Sequence, residues 1–250
     1  MNKLVTEYIK LADIKIAFRQ YGNGPILILL HGNSHYKRIF KRYQKDFFKN
    51  YHTIAIDSRG HGESVSKDDQ YSIGQYSDDI IQFCKVTGIE QAYVIGYSDG
   101  GKIALLLAKK APHIFTKIVA ISPNYLASGM TDEALRFLNK KLRLLRFLNN
   151  IGIPTRKSIM RCWLMLNDIG ISDQELSSIQ TDLKILYAEQ DLVKEEHIQK
   201  TGALIPRASI QKVNDCNHFS ILSKKETIRE IRDYFLQDDA KLKVADRRYN

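Results

Sequence analysis

The residues of this chain best placed to do chemistry are Gly96-Tyr97-Ser98-Asp99-Gly100. An apolar run, Ala92 to Ile95, precedes them, and a small-residue apolar stretch, Lys102 to Ala111, follows. The first reads as a buried strand and the second as a helix. A Gly-x-Ser-x-Gly between strand and helix is a nucleophile elbow, whose sharp turn holds the serine hydroxyl clear of the backbone. Gly96 and Gly100 lack a Cβ, so strand and helix can close on each other there. Ser98 itself is expected to be strained, at the positive end of a helix. A serine hydroxyl is a poor nucleophile until a base takes its proton. An imidazole titrating near neutrality suits that task, and a carboxylate must then hold its tautomer and stabilise the imidazolium. A histidine and an acid must therefore be carried to the same edge of the sheet as Ser98.

The elements that would do this can be followed along the chain. Tyr8–Lys10 and Ile14–Arg19 alternate and predict an antiparallel hairpin. Ile26–Leu30 is continuously apolar, as a strand buried on both faces would be, and runs into His31-Gly32-Asn33. A short helix is expected from about Ile39 to Phe48, then a strand from Thr53 to Ile56. Ser72 with Gln75 forms a capping box for a helix that turns Tyr76, Ile80, Phe83 and Val86 to one face and stops at Gly88. Lys117–Ser122 is the next strand. Alternating strands and helices imply right-handed crossovers and a parallel sheet behind the hairpin.

The alternation lapses from Pro123 to about Gln180. Thr131 should cap a helix with Leu135, Leu138, Leu142, Leu145 and Leu148 on one face. A second helical stretch holds Met160, Trp163 and Met165. A third is announced by the capping box Ser172/Glu175. These helices are expected to form a lid (residues 123–180) over a core made of 1–122 and 181–250. Strands resume at Leu183–Ala188, followed by Glu189-Gln190-Asp191, and at Ser209–Val213, followed by Asn214 to Phe219. Ser223 and Glu226 should cap a final helix carrying Ile228, Ile231 and Phe235 inward, with a polar, frayed tail from Asp238.

This layout resembles the α/β-hydrolase fold family, in the subset with a small helical cap. The match runs over about residues 5–237. Gly-Tyr-Ser-Asp-Gly-Gly, with Asn124-Tyr125 and Thr131-Asp132-Glu133, is most similar to the valacyclovir-hydrolase or biphenyl-hydrolase-like branch. The resemblance implies a mostly parallel, eight-stranded sheet flanked by helices. It also implies a catalytic histidine on the loop past the last strand, where His218 alone of seven histidines sits. The order Ser, acid, His is expected on this fold, and Asp191 fits it, 93 residues after Ser98 and 27 before His218. Glu189 and Asp215 are the weaker competitors. An acid one strand earlier is ruled out by Ser122-Pro123-Asn124. The oxyanion donors should be the N–H groups of Asp99 and of Asn33, the latter in the family's His-Gly-x pattern.

Asp57-Ser58-Arg59-Gly60-His61-Gly62-Glu63-Ser64 matches a family turn that reads as scaffolding, with Asp57 and Arg59 able to pair. Candidate pocket residues are His31, Trp163 and Phe219, with Met160 and Met165 beside Trp163. Packing of the lid against the sheet explains Trp163 and the two methionines equally well, and His31 reads as a brace for its loop rather than a proton carrier. The carboxylate of Asp99 could select cationic substrates, or turn to Lys102 or solvent. The basic lid helix would favour anionic ones.

Bulk properties narrow the rest. The 250 residues carry a net charge of +10, with 44% hydrophobic and 26% charged residues, ordinary for a globular domain. Basic residues are spread, with modest clusters at Lys37-Arg38, Lys41-Arg42, Lys140–Arg146 and Arg247-Arg248, and no nucleic-acid recognition pattern is present. No apolar run is long enough to span a membrane. Met1–Glu7 has no signal-type apolar stretch. Cys84, Cys162 and Cys216 are scattered, suggesting neither disulfides nor a metal site, and a cytoplasmic location is the expectation. The sequence thus points to a serine hydrolase, free of cofactor and metal, acting on small carboxylic esters or thioesters. Its rivals are an aminopeptidase-like or carbon–carbon bond hydrolase on the same triad, a low-turnover ligand-binding protein, and a surface-binding protein that uses the basic helix. The sequence leaves oligomeric state open.

Overall fold

The computed structural model describes residues 4–67 and 71–246, with side chains as far as Leu236. Met1–Lys3 and the Arg247-Arg248 cluster lie outside the described residues. The chain forms β1 (Glu7–Lys10), β2 (Ile14–Tyr21), β3 (Ile26–Leu30), β4 (His52–Ile56), a two-residue β5 (Val65–Ser66), α1 (Ile73–Thr87), β6 (Ala92–Tyr97), α2 (Asp99–Lys110) and β7 (Phe115–Ile121). There follow α3 (Asp132–Asn150), α4 (Arg156–Met165), α5 (Asp173–Ser177), β8 (Asp182–Gln190), α6 (Glu195–Leu204), β9 (Ala208–Asn217) and α7 (Lys225–Asp246). The sheet runs β1-β2-β4-β3-β6-β7-β8-β9, with β5 added against β2. The eight strands of that path are those read from the sequence. β2 is antiparallel to β1 and β4, and from β4 to β9 every pairing is parallel.

Period-two geometry explains the unbroken apolar runs. Ile28 and Leu30 of β3 enter one core together with Ile80 and Phe83 of α1 and Ile103 of α2. Leu27 and Leu29 of the same strand enter a second core with Ile231 and Phe235 of α7. A strand covered on both faces has no polar side to offer. Each fully buried Leu or Ile contributes roughly 1.5–3 kcal/mol.

Several local expectations change. Between Lys37 and Phe47 the chain forms a 3-10 turn (Lys37–Phe40) and a π turn (Tyr43–Phe47) in place of a regular helix. Lys37 is pulled inward there: its N–H and its ammonium both donate to Asp57, each at 2.6 Å. Asp57 therefore does not pair with Arg59. The Arg59 guanidinium instead bonds Asp13 and Asp79. Ser223 does not cap α7, because its hydroxyl donates to Ser220 O at 2.8 Å. α7 also continues past Asp238, through a segment rich in good helix formers such as Ala240, Lys241 and Leu242. The capping boxes at Ser72 and Ser172 and the Thr131 cap form. Gly88 ends α1 in the left-handed region at φ 70°.

Among the described residues no helix is long and apolar enough to cross a membrane. The helices α3, α4 and α5 lie between β7 and β8 in the chain. Met130, just before α3, bridges to Val193, and Thr131 N–H donates to Leu192 O at 2.8 Å. The start of the insertion is thereby laced to the loop that carries Asp191.

Candidate active site

The turn at Ser98 is as tight as its glycines require. Ser98 sits at φ 55°, ψ −115°, a conformation costing about 1–3 kcal/mol that only its surroundings can hold. A Cβ on Gly96 would lie 2.1 Å from Gly100 O, and one on Gly100 would lie 2.1 Å from Leu30 O. Strand β6, helix α2 and strand β3 thus close on one another through missing side chains. Ser98 N–H donates to Ile121 O at 2.8 Å, which fixes the elbow to the end of β7.

The carboxyl ends of β6, β8 and β9 bring three side chains into one line. His218 Nδ1 is 2.7 Å from Asp191 Oδ1, and His218 Nε2 is 3.1 Å from Ser98 Oγ. With Nδ1–H donated to the carboxylate, Nε2 is left to accept the serine proton. His218 is held from both sides: its N–H donates to Gln190 O at 3.2 Å, and Tyr97 Oη donates to its carbonyl at 2.8 Å. The register of β8 against β9 shifts between Ala188 and Gln190, so strand pairing yields to the Asp191 loop. Glu189 is occupied elsewhere, accepting from Asp215 N–H at 2.9 Å.

Asp191 is held by four donors. Besides His218 it accepts from Val193 N–H at 3.2 Å, Ala188 N–H at 2.9 Å and Ser122 Oγ at 2.5 Å. Burial pushes its pKa up, but the bonds from His218, Ser122 and Ala188 outweigh burial and hold it below the ordinary carboxylate value. No pattern in the sequence marks Ser122, which offers no acid at this strand end and acts through its hydroxyl. It is a non-glycine residue at positive φ, 51°, at the carboxyl end of a central strand.

Asp99 opens α2, so its N–H is one of the four a helix leaves without an internal partner. Asn33 follows β3 in a turn closed by His35 N–H donating to Gly32 O at 3.1 Å. The carboxamide of Asn33 has a second task that the sequence did not reveal. Its Nδ2 donates to Asp99 Oδ2 and to Arg161 O, both at 2.9 Å. One side chain therefore ties the loop after β3, the elbow and α4 together.

Two expected roles do not hold. The Asp99 carboxylate is buried, paired with Lys102 at 3.1 Å and bonded by Asn33. Burial pushes its pKa up, and the Lys102 charge with those two bonds more than reverses this, so it stays ionised. It does not line the cavity, and its charge is met by Lys102. His31 likewise lies outside the cavity lining. It is 1% exposed, with Nδ1 2.8 Å from Gly32 O and Nε2 accepting from Ser58 N–H at 3.0 Å. Burial, then the neighbouring His61, pushes its pKa down to about 3. It braces two loops.

The cavity above Ser98 measures about 790 Å³ and is closed on one side by α3 and α4. Leu138, Cys162 and Met165 give it apolar walls, and Phe219 stands at its rim. Trp163 does not line it: α4 turns Arg161, Cys162 and Met165 inward, and Trp163 is exposed on the outer side. The charged side chains in the lining are Glu133, Lys141, Arg161 and the His218-bound Asp191. Arg161 donates from Nη2 to Gly60 O at 2.9 Å, its buried Nε has no partner, and among the described residues neither Arg161 nor Lys141 forms an ion pair with a carboxylate.

Comparison with known proteins agrees with this architecture. A profile of the alpha/beta hydrolase fold matches residues 25–150. 2-(Acetamidomethylene)succinate hydrolase of Mesorhizobium japonicum is 27% identical over 120 residues, 48% of this chain and 43% of that protein. Epoxide hydrolase 1 of Caenorhabditis elegans is 28% identical over 118 residues, 46% of this chain and 29% of that protein. The matches thus span less than half the length of either relative. Among solved structures, E-2-(acetamidomethylene)succinate hydrolase superposes with a TM-score of 0.78 at 19% identity, over 93% of this chain and 99% of that one. The meta-cleavage product hydrolase of Pseudomonas fluorescens IP01 gives 0.74 at 20% identity, over 90% and 95%. At such identities the likeness concerns the fold. Profile, sheet order and elbow agree, and the chain belongs to the α/β-hydrolase fold family.

Proposed function

We propose that this hydrolase cleaves small carboxylic esters or thioesters through an acyl-enzyme on Ser98. The observation that carries this reading is the hydrogen-bonded line Asp191–His218–Ser98, with contacts of 2.7 and 3.1 Å. Ser98 Oγ attacks the carbonyl carbon while His218 Nε2 takes its proton. The oxyanion is met by the N–H groups of Asn33 and Asp99. The imidazolium, steadied by Asp191, then protonates the leaving alkoxide or thiolate as the C–O or C–S bond breaks. Water, deprotonated by the same imidazole, releases the acid and restores Ser98. The relative named as an epoxide hydrolase does not change this: the elbow residue here is serine.

The same reading assigns residues 1–122 and 181–250 to a catalytic core and 123–180 to a cap. Among the described residues lining the cavity, Lys141 and Arg161, neither in an ion pair with a carboxylate, stand with Glu133, which His218 does not bind. This balance favours an acyl group carrying its own carboxylate over a cationic one. A second reading is carbon–carbon bond hydrolysis on the same triad, favoured by the likeness to a structure whose name specifies a meta-cleavage product hydrolase. p-Nitrophenyl acetate tests the primary reading. Wild type should show a burst and turnover, and Ser98→Ala neither. Equal rates for the two would remove the reading. Turnover of a vinylogous 1,5-diketone with none on any ester would replace it with the second.

A further inference from the structure

The outer face of α3 bears an apolar stripe. Phe137, Leu144, Phe147 and Ile151, just past its end, recur at steps of seven, three and four residues, so they share one side of the helix. They are 64%, 57%, 60% and 58% exposed, while Ala134, Leu138 and Leu142 on the opposite side are buried in the core of the insertion. Isolated exposed apolar residues are normal, but four on one face of one helix mark an interaction surface. Arg136, Arg143 and Arg146 run along one side of the stripe and Lys140 falls within it, between Phe137 and Leu144; all four are exposed. Among the described residues none of the four forms an ion pair with a carboxylate. The stripe leads to the cavity mouth, since Phe137 and Phe219, 71% exposed, both line the cavity.

We propose that this face is a reversible docking surface for an anionic lipid bilayer, with α3 lying in the headgroup plane and the cavity mouth turned toward the lipid. An interfacial helix joins an apolar face to a basic one in this way, and Lys and Arg gain most beside acidic headgroups. A second copy of the chain fits worse, because apposing two such faces brings the two sets of basic side chains together. Docking of this kind lets an amphiphilic ester pass from the bilayer along the stripe to Ser98. That consequence rests on the proposed hydrolysis, whereas docking itself does not.

The test uses the full chain and sucrose-loaded vesicles of phosphatidylcholine, with or without phosphatidylserine. Wild type should sediment with phosphatidylserine vesicles, only weakly with phosphatidylcholine alone, and be released as salt rises. Each basic side chain near the surface is worth about fivefold in binding, so Arg143→Glu/Arg146→Glu should weaken it by more than about twentyfold. Leu144→Ser/Phe147→Ser/Ile151→Ser should also release the protein. Both variants should keep the wild-type rate on p-nitrophenyl acetate in the absence of vesicles. The proposal is overturned by wild type that ignores phosphatidylserine, or by variants that bind as wild type does. It is also overturned by a wild-type dimer in sedimentation velocity that the apolar variant dissolves. The charge variant alters only exposed polar positions, so it decides the matter even where the apolar one folds poorly. Loss of ester turnover with vesicle binding intact would indict the catalytic reading alone.

Discussion

Replacing Ser122 by alanine isolates one of the four bonds that hold Asp191. The Ser122 hydroxyl donates to Asp191 Oδ2 at 2.5 Å in a place where Ser122 is 1% exposed, so solvent does not readily take over. A hydrogen bond to a charged group contributes about 1.5–3 kcal/mol. Alanine keeps the Cβ and the positive φ, so backbone strain is unchanged. The Asp191 pKa is depressed in the folded state, so its ionised form adds stability above the unfolded carboxylate pKa of about 3.9. That contribution disappears as pH falls through the lower, folded pKa. Removing the hydroxyl shrinks the gap. Ser122→Ala should therefore unfold about 1.5–3 kcal/mol more easily at neutral pH, and the difference should fade as acid protonates Asp191 in both proteins. Urea unfolding followed from neutral to acid pH reads this directly. Turnover should fall less than about tenfold, because three bonds still orient the carboxylate, against about 10⁴-fold for Asp191→Asn, which upsets the imidazole tautomer. A stability difference independent of pH, or a loss of turnover as deep as that of Asp191→Asn, would refute the reasoning.

Asn33→Ala removes the bonds to Asp99 and Arg161 O while keeping the backbone N–H; kcat should drop about tenfold with KM less affected, reflecting a loosened oxyanion loop and a loss of about 1–3 kcal/mol. An unchanged kcat would make the clasp purely structural. Arg161→Gln should lower kcat/KM for an ester bearing a free carboxylate, relative to a neutral ester of the same length, by about tenfold or more; an unchanged ratio rules out charge selection. The pKa of buried His31 is depressed to about 3 and that of His61 is also lowered, chiefly by burial. Between about pH 6.5 and those folded values the unfolded chain binds more protons, so stability should decrease as pH is lowered, by up to about 1.4 kcal/mol per unit for each histidine. His31→Gln should flatten the slope of denaturant-derived stability against pH, and an equal slope would contradict its buried, neutral state. Gly100→Ala should fail to give soluble protein, since its Cβ would meet Leu30 O at 2.1 Å; a folded, active variant would mean the elbow can relax.

What the chain reveals in advance follows from how local each signal is. The hairpin, the buried strands and the capping boxes each rest on a few adjacent residues, and so were legible. So was the placement of Ser98, Asp191 and His218, because each stands just past the carboxyl end of a recognisable strand. Contacts set by distant chain segments were not legible. Lys37 reaches Asp57 because an irregular turn folds inward, and no periodicity announces such a turn. Trp163 looked like a pocket residue by type, yet the rotation of α4 is fixed by Leu164 and Cys162, both buried. The Asn33 clasp joins positions 66 and 128 residues apart, and Ser122 matters through an acid 69 residues away. For Asp99 the sequence left substrate selection and a turn to Lys102 or solvent side by side, and the structure pairs it with Lys102, one helical turn on.

Whether the Asp191–His218–Ser98 line generates the nucleophile can be read by peptide mapping after reaction with a fluorophosphonate. A single adduct is expected on the peptide containing Ser98, formed at least about 10³-fold more slowly in His218→Ala. An adduct on any other residue, or undiminished labelling of Ser98 without the imidazole, would contradict it.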